Sequence, residues 1–302
     1  MERQIRTDLA IEAKELWSES AGKTDRLPGV EADEKEIDGF KVTAVKILDS
    51  QGEKALGKPK GTYFTIEADP YLKKMENSFE TGCDILSGLL KRLLDISPQD
   101  CVMAAGLGNA DITPDVIGPA AVKYIMVTRH LVSQFPEHFG SIRPVSAFVP
   151  GVLAETGIES GELIRAAAEK AGAKAVMVID ALASRKLSRV CRTIQISDAG
   201  IVPGSGVGNS RTGINREFLG IPVIAIGIPT VVDAGTLAYD LVSQAGISSL
   251  SPRDFTSYGG DMIVTPRDID KNAADMAKLL GYGINLALHD NLDIDDITMF
   301  LN

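Results

Sequence analysis

Apolar residues change their spacing along this chain, and the change divides it into two parts. From residue 100 onward, short and nearly continuous apolar runs occur at 102–107, 145–149, 175–179, 193–197 and 221–228. Segments with helical periodicity lie between them, at 117–133, 159–171 and 232–244. Apolar strands that alternate with helices are typical of a parallel sheet covered on both faces. A last helix is predicted over 265–289, where Thr265 and Pro266 provide a helix start.

The first hundred residues follow a different pattern. Residues 1–36 are charged and poor in large apolar side chains, so we expect a partly mobile extension. The runs at 40–48 and 61–67 have strand composition, and the turn-rich sequence QGEKALGKPK joins them, which predicts a β-hairpin. Apolar residues then recur at helical spacing across 73–94.

These patterns predict an α/β protein with three α/β/α layers, a mainly parallel twisted sheet and a small N-terminal β-rich extension. The extension is assigned to 1–36, and a single α/β domain to 37–302. Within that domain we distinguish a hairpin subregion at 37–70, a core at 100–246 and a C-terminal helix at 262–302.

Composition limits the partners and the compartment. The net charge is −10, which disfavours direct binding to nucleic acid because phosphate contacts need clustered Lys and Arg. The three cysteines, Cys83, Cys101 and Cys191, are widely spaced and predict neither a disulfide framework nor a zinc cluster. The polar N-terminus and the lack of an apolar run of ~18 residues indicate a cytoplasmic protein without a membrane anchor.

Carboxylates follow three of the predicted strands. In open α/β sheets, chemistry concentrates beyond the carboxyl ends of strands, which singles out Asp115, Asp180 and Asp198. Each also has a structural interpretation, because Thr113, Asp115 or Asp180 could cap a helix and Asp198 could belong to a turn. Two neighbouring carboxylates cannot both ionise freely, so Asp115 and Asp180 could share general acid and base roles.

The glycines around these residues do not form a cofactor signature. A dinucleotide fingerprint would need glycine at 111, where Asp111 stands, and no phosphate-binding P-loop is present, so no cofactor is predicted. The glycine-rich run at 203–209 exposes backbone N–H groups at Gly204, Ser205 and Gly206 that could line an oxyanion or substrate site, or could form a turn. The three histidines lack metal-ligand spacing, so no metal site is predicted.

Longer motifs add a family resemblance. The segments GLGNADITPDVIGP, VIDALASRKLSRVCRTIQISDAGIVPGSGVGN and LGIPVIAIGIPTVVDA resemble the germination proteases of spore-forming bacteria, and the likeness extends over about residues 6–289. The resemblance implies an endopeptidase that degrades small acid-soluble spore proteins during germination in the spore core. It also implies a homotetramer, a zymogen whose propeptide lies within 1–36, and a core similar to hydrogenase maturation peptidases. By motif, the catalytic aspartates are Asp115 and Asp180, with Asn109 and the 204–208 loop in support. Thr113 and Asp198 are further supporting candidates.

Residues 7–12, TDLAIE, resemble the substrate pattern of that family. We therefore expect self-cleavage between Asp8 and Leu9. An acidic residue before the cut calls for a cationic pocket, for which Arg185, Lys186 and Arg189 are the candidates. The sequence departs from larger family members between 244 and 262, where they carry a long insertion; this bears on assembly and regulation rather than on activity.

Two other functions stay open on the sequence alone. A metallohydrolase could use Asp115, Asp180 and Asp198 as oxygen ligands, which would favour Mg²⁺, Ca²⁺ or Mn²⁺. A non-catalytic protein could instead bind a small ligand or phosphate at the 204–208 loop.

Overall fold

The computed structural model describes residues 7–21, 27–205, 211–246, 255 and 262–302. Within these ranges nine strands form a single sheet, in the order β1-β2-β3-β7-β8-β6-β4-β5, with β9 paired to the end of β8. The strands are β1 Val30–Ile37, β2 Phe40–Ile47, β3 Gly61–Glu67, β4 Val102–Gly106, β5 Val145–Phe148, β6 Ala175–Ser184, β7 Thr193–Ser197, β8 Val223–Asp233 and β9 Ile263–Val264.

Helices lie on both faces of this sheet, which confirms the predicted α/β class. They are α1 Ala10–Ala21, α2 Ser50–Leu56, α3 Asp69–Leu72, α4 Ser78–Leu93, α5 Ile117–Val122, α6 Arg129–Gln134, α7 Pro136–Phe139, α8 Leu153–Thr156, α9 Ser160–Ala171, α10 Arg216–Leu219, α11 Ala234–Gln244, α12 Ile269–Leu288 and α13 Ile294–Leu301. On one face α4, α5 and α12 bury the main core against β4, β6 and β8. On the other face α9 packs over β4 and β6.

The sheet is mixed. The pairs β4–β5, β4–β6 and β6–β8 are parallel, and the rest of the sheet is antiparallel. The predicted hairpin is not a separate appendage, because β3 pairs with β7 and joins β1 and β2 to the same sheet. β1 stands at the edge with mostly exposed charged side chains, a composition that discourages further strand pairing.

Two predicted helices have different bounds in the structure. The helix predicted over 117–133 is divided into α5 and α6. Between them the Met126 N–H donates to the Asn285 side chain, and the Thr128 N–H donates to the Val145 carbonyl. The C-terminal helix begins at Ile269 rather than at Thr265, since the Thr265 hydroxyl donates to the Thr230 carbonyl instead of capping the helix. In both places tertiary hydrogen bonds replace helical ones.

The N-terminal segment 7–21 packs against the domain, which differs from the loosely held extension that its composition suggested. Leu9 and Ala10 are fully buried, and α1 packs on β2 and α2. Among the described helices, none is both long enough and apolar enough to cross a bilayer.

Candidate active site

Asp115 lies in the connection between β4 and α5. Gly108 begins this turn with a φ of +108°, a backbone region that favours glycine, and a Cβ there would lie 2.0 Å from the Asp115 main-chain oxygen. Asp115 ends a short 3-10 helix, Thr113–Asp115, and its carboxylate accepts a hydrogen bond from the Asn109 N–H at 2.8 Å. The following helix has Val116 at its N-cap without a side-chain cap, so Asp115 does not serve as that cap.

Asp180 lies within β6, five residues after its start. The parallel partner β4 ends where Gly106 pairs with Ile179, so Asp180 stands one residue beyond the end of that strand. The Ala181 N–H donates to its carboxylate at 2.9 Å. Because β6 continues to Ser184, no helix begins at Asp180, and the helix-cap interpretation does not apply.

Burial and mutual repulsion favour the protonated form of this pair. Asp180 is buried, and its pKa lies well above the ordinary value, first because of burial and then because of the charges of Asp115 and Asp8. Burial also raises the pKa of Asp115, with the Asn109 N–H acting in the opposite direction. Two interacting carboxylates of this kind titrate together, and one holds a proton above the usual range for Asp.

A cavity of about 380 Å³ opens at these two aspartates. It is lined by Asp8, Asp115 and Asp180, and by apolar side chains that include Ile112 and Leu182. The cavity is large enough to admit water and a substrate side chain.

Residues 7–9 of the N-terminal segment lie at this site, just before α1 begins at Ala10. The Asp8 N–H donates to the Ala183 carbonyl at 2.9 Å, and the Ala183 N–H donates to the Asp8 carboxylate at 2.8 Å. The Ser205 hydroxyl donates to the same carboxylate at 2.6 Å. Asp8 lies between the 380 Å³ cavity and a second one of about 210 Å³, which Gln195 and Gly227 line.

Residues beyond Asp8 are held more deeply. Leu9 packs against Leu182. The fully buried Glu12 carboxylate accepts hydrogen bonds from the main-chain N–H groups of Arg185 and Lys186, at 2.6 and 3.1 Å, and from the Arg189 guanidinium at 3.2 Å. Glu12 thus occupies an anion pocket made of two main-chain N–H groups and a guanidinium.

The structure pairs the predicted cationic pocket with carboxylates other than Asp8. Arg189 binds Glu12 and Glu15, and the Arg185 guanidinium binds Glu19 and Asp240. The reason is that α1 runs past the turn after β6 and presents its acidic side chains to it. Although burial opposes ionisation, Arg189 and Lys186 lower the pKa of Glu15 to about 2.

The other predicted site residues fall into three groups. Asn109, Gly204 and Ser205 lie at the site, and the Asn109 side chain also accepts the Asp111 N–H and shapes the loop. Thr113 contributes to the 3-10 turn. Gly206 lies outside the described residues, as do Asn209 and most of the 245–261 segment.

Asp198 is not brought to the aspartate pair. Asp198 follows β7, which runs antiparallel to β8. The carboxyl end of β7 therefore points away from the carboxyl ends of β4 and β6. There its carboxylate accepts the Thr62 N–H at 2.7 Å. The expectation that Asp198 ends a parallel strand beside Asp180 is wrong for this reason.

Two residues at the site escaped the sequence reasoning. Gln195 contacts Asp8 and Ala10 on either side of Leu9, and the Lys58 ammonium donates to the Thr7 carbonyl at 3.0 Å. Burial lowers the pKa of Lys58, against the charges of Asp8 and Glu12. A glutamine inside the apolar run TIQIS was the available signal for Gln195, because a buried amide needs partners.

Within the described residues, no group of three or more His, Cys, Asp or Glu side chains is arranged to hold a metal ion.

Known proteins resemble this chain over nearly its whole length. Residues 10–245 match the family described as germination protease. A germination protease from Clostridium perfringens is 42% identical over 324 aligned positions, covering 99% of both chains. Another, from Caldanaerobacter subterraneus subsp. tengcongensis, is also 42% identical and covers 99% of this chain and 98% of its own. A solved [NiFe] hydrogenase maturation protease from Thermococcus kodakarensis aligns with 65% of this chain and 98% of its own, at 13% identity and a TM-score of 0.36.

Proposed function

The chain belongs to the germination protease family, and from that premise we propose that it is an endopeptidase using Asp115 and Asp180 as an acid–base pair. Its substrates are small acid-soluble spore proteins, whose degradation it initiates during germination in the spore core. It is made as a zymogen and cleaves itself between Asp8 and Leu9. It works as a homotetramer, without a cofactor.

One observation carries this proposal: residues 7–9, which precede α1, lie at the aspartate site. Asp8 pairs with Ala183, three residues beyond Asp180 on the same strand, and lines the cavity that contains both aspartates. Proteases hold peptide substrates through main-chain hydrogen bonds such as the one from Asp8 to Ala183, because these bonds align the scissile bond. The leader is thus bound as a substrate would be, and it also blocks the site against other peptides.

The environments of the two aspartates support different roles for them. Asp180 is the more deeply buried and holds the proton, whereas Asp115 borders the cavity and is stabilised as a carboxylate by the Asn109 N–H. Asp115 takes a proton from water as the water oxygen bonds to the Asp8 carbonyl carbon. Asp180 then gives its proton to the Leu9 nitrogen as the C–N bond breaks, which leaves a new carboxyl group on Asp8 and a free amine on Leu9.

The test compares the wild type with Asp115→Asn and Asp180→Asn. Each protein is incubated alone and with a small acid-soluble spore protein, with and without a chelator, and cleavage is followed by mass spectrometry. We expect each substitution to slow both reactions by about 10²–10⁴-fold. Asp198→Asn is the matched control, since this carboxylate lies at the other edge of the sheet, and it should leave cleavage unchanged.

The outcomes separate the open alternatives. Cleavage that survives both substitutions would overturn the assignment of the aspartate pair. Loss of cleavage with chelator, restored by Mg²⁺ or Mn²⁺, would favour a metallohydrolase that uses the same carboxylates. A wild type that cleaves neither itself nor the spore protein would refute the proposed protease and leave a ligand-binding role.

A further inference from the structure

We propose that Gln195 is a further catalytic residue, whose side-chain amide stabilises the negative charge that develops on the Asp8 carbonyl oxygen during cleavage. The inference rests on the proposed function, because it takes the Asp8–Leu9 bond as the bond that is cut. Its basis is a contact: Gln195 Nε2 donates to the Asp8 carbonyl oxygen at 3.1 Å.

The sheet register puts Gln195 level with the acid–base pair. Gln195 pairs with Gly227 on β8, and Gly227 pairs with Asp180 on β6. Residues paired across neighbouring strands point to the same face of a sheet, so Gln195 and Asp180 flank position 227 on one face. Asp8 lines both the cavity that contains Asp180 and the cavity that contains Gln195.

Glycine at position 227 makes room for the Leu182 side chain. A Cβ there would lie 2.4 Å from the Leu182 side chain, which packs against Leu9, the residue after the proposed cut. Gly227 and Gln195 line the smaller cavity together with Asp8. A larger residue at 227 would therefore displace the side chain that supports the leader.

The orientation of the Gln195 amide is fixed by its two partners. Its Oε1 accepts the Ala10 N–H at 2.7 Å, and its Nε2 faces the Asp8 carbonyl. A main-chain N–H can only donate and a carbonyl can only accept, so the opposite amide orientation would lose both hydrogen bonds. Gln195 is buried, and a hydrogen bond in such surroundings is electrostatically stronger than one in water.

The chemistry requires a donor at this position. As the water oxygen bonds to the Asp8 carbonyl carbon, the π electrons move to the carbonyl oxygen, and Asp115 takes the proton of the water. The Gln195 N–H then faces an oxyanion rather than a carbonyl, and the hydrogen bond strengthens. When the oxyanion collapses, the C–N bond breaks, Leu9 nitrogen takes the proton of Asp180, and Gln195 returns to its initial state without having exchanged a proton.

The experiment measures the first-order rate of self-cleavage of the full-length chain by intact mass, from mildly acidic to neutral pH. Gln195→Leu removes the donor at similar volume and should lower the rate by about 10²–10³-fold, the effect typical of a lost oxyanion donor. Thr193→Val is the matched control, because Thr193 is buried two residues earlier on the same face of β7. It should cleave at the wild-type rate.

Gln195→Glu provides a readout that a purely structural role would not change. An ionised carboxylate cannot donate, but a protonated one can, so its rate relative to the wild type should recover as the pH falls. Hydrogen exchange of residues 7–12 reports whether the leader stays bound in each variant.

A Gln195→Leu rate within about threefold of the wild type, or a Gln195→Glu deficit that is constant across pH, would overturn the role of Gln195. If Gln195→Leu fails to fold, the pH dependence of Gln195→Glu decides. Failure of the proposed function gives different results: the wild type itself does not cleave, or Asp180→Asn cleaves normally. Either result would also overturn the role of Gln195, because that role depends on the proposed function.

Discussion

Asp8 and Ala183 exchange two hydrogen bonds, one through the Asp8 main chain and one through its carboxylate. The Asp8 N–H donates to the Ala183 carbonyl at 2.9 Å, and the Ala183 N–H donates to the Asp8 side chain at 2.8 Å. The carboxylate thus takes the place that a main-chain carbonyl would hold in a regular ladder. An acidic side chain at position 8 is therefore held by a main-chain N–H and by the Ser205 hydroxyl.

Asp8→Ala should therefore slow self-cleavage. The substitution leaves the N–H of the buried Ala183 without its acceptor and removes the acceptor of the Ser205 hydroxyl. An unsatisfied buried donor costs about 1–3 kcal/mol. If that hydrogen bond holds the leader in the position for cleavage, its loss lowers the cleavage rate by about 10–100-fold. Intact mass over time measures the rate. Asp33→Ala, at an exposed position, is the control, and equal rates for the two variants would contradict the role of Asp8.

Glu12 anchors the leader at a second point. Glu12→Gln removes the charge that faces Arg189 and one of the acceptors for the N–H groups of Arg185 and Lys186. Because this carboxylate is fully buried, we expect the leader to be held about 2 kcal/mol less tightly, seen as faster hydrogen exchange across α1.

Glu19→Gln is the control for this effect. Glu19 belongs to the same helix and pairs with Arg185, but its side chain is 53% exposed. A pair of that kind contributes about 0–1 kcal/mol. If both variants exchange at the same rate, the Glu12 pocket is not the anchor of the leader.

The sequence alone predicted those elements whose apolar pattern depends only on nearby residues. The apolar runs of β6 and β8 predicted the centre of the sheet, because strands buried on both faces are apolar throughout. The strand-end rule selected Asp115 and Asp180, which line one cavity. Both results depend only on the residues near each strand.

What the sequence did not provide depends on contacts between distant segments. The direction of β7 is set by its partners β3 and β8, so the location of Asp198 could not be derived from TIQISD. Likewise, α1 had to be placed against the turn after β6 before Arg189 could be paired with Glu12 and Glu15. Gln195 became significant only once Asp8 was known to lie beside it.

Gly108→Ala should disrupt the Asp115 loop. The φ of +108° strains any other residue, and the added Cβ would lie 2.0 Å from the Asp115 main-chain oxygen. We expect a loss of stability of about 1–3 kcal/mol and a fall in cleavage of about 10²-fold, since a shift of about 1 Å in a catalytic group has that effect. Denaturant unfolding and the self-cleavage assay measure the two effects.

Gly172→Ala separates backbone strain from displacement of the site. Gly172 also has a positive φ, of +70°, but a Cβ there would have no neighbour within 4 Å. It should lower stability by about 1 kcal/mol and leave cleavage unchanged. Equal activity of the two variants would show that Gly108 does not position Asp115.

The raised pKa of Asp180 predicts how stability changes with pH. Burial, Asp115 and Asp8 raise its pKa in the folded chain well above the ordinary value of 3.8, which applies to the unfolded chain. Between those two values the folded state binds more protons than the unfolded state, so the free energy of unfolding decreases as the pH rises. The stabilising effect of the proton is complete below the unfolded pKa and is lost once the pH passes the folded pKa.

Asp180→Asn should remove this part of the pH dependence. The amide is neutral at every pH, so the variant should gain stability relative to the wild type as the pH rises from 4 through the folded pKa of Asp180. Unfolding midpoints measured across that range for the wild type, Asp180→Asn and the exposed control Asp33→Asn test the expectation. Parallel curves for all three proteins would mean that Asp180 does not hold a proton in the folded chain, and Asp115 would then have to be the acid of the pair.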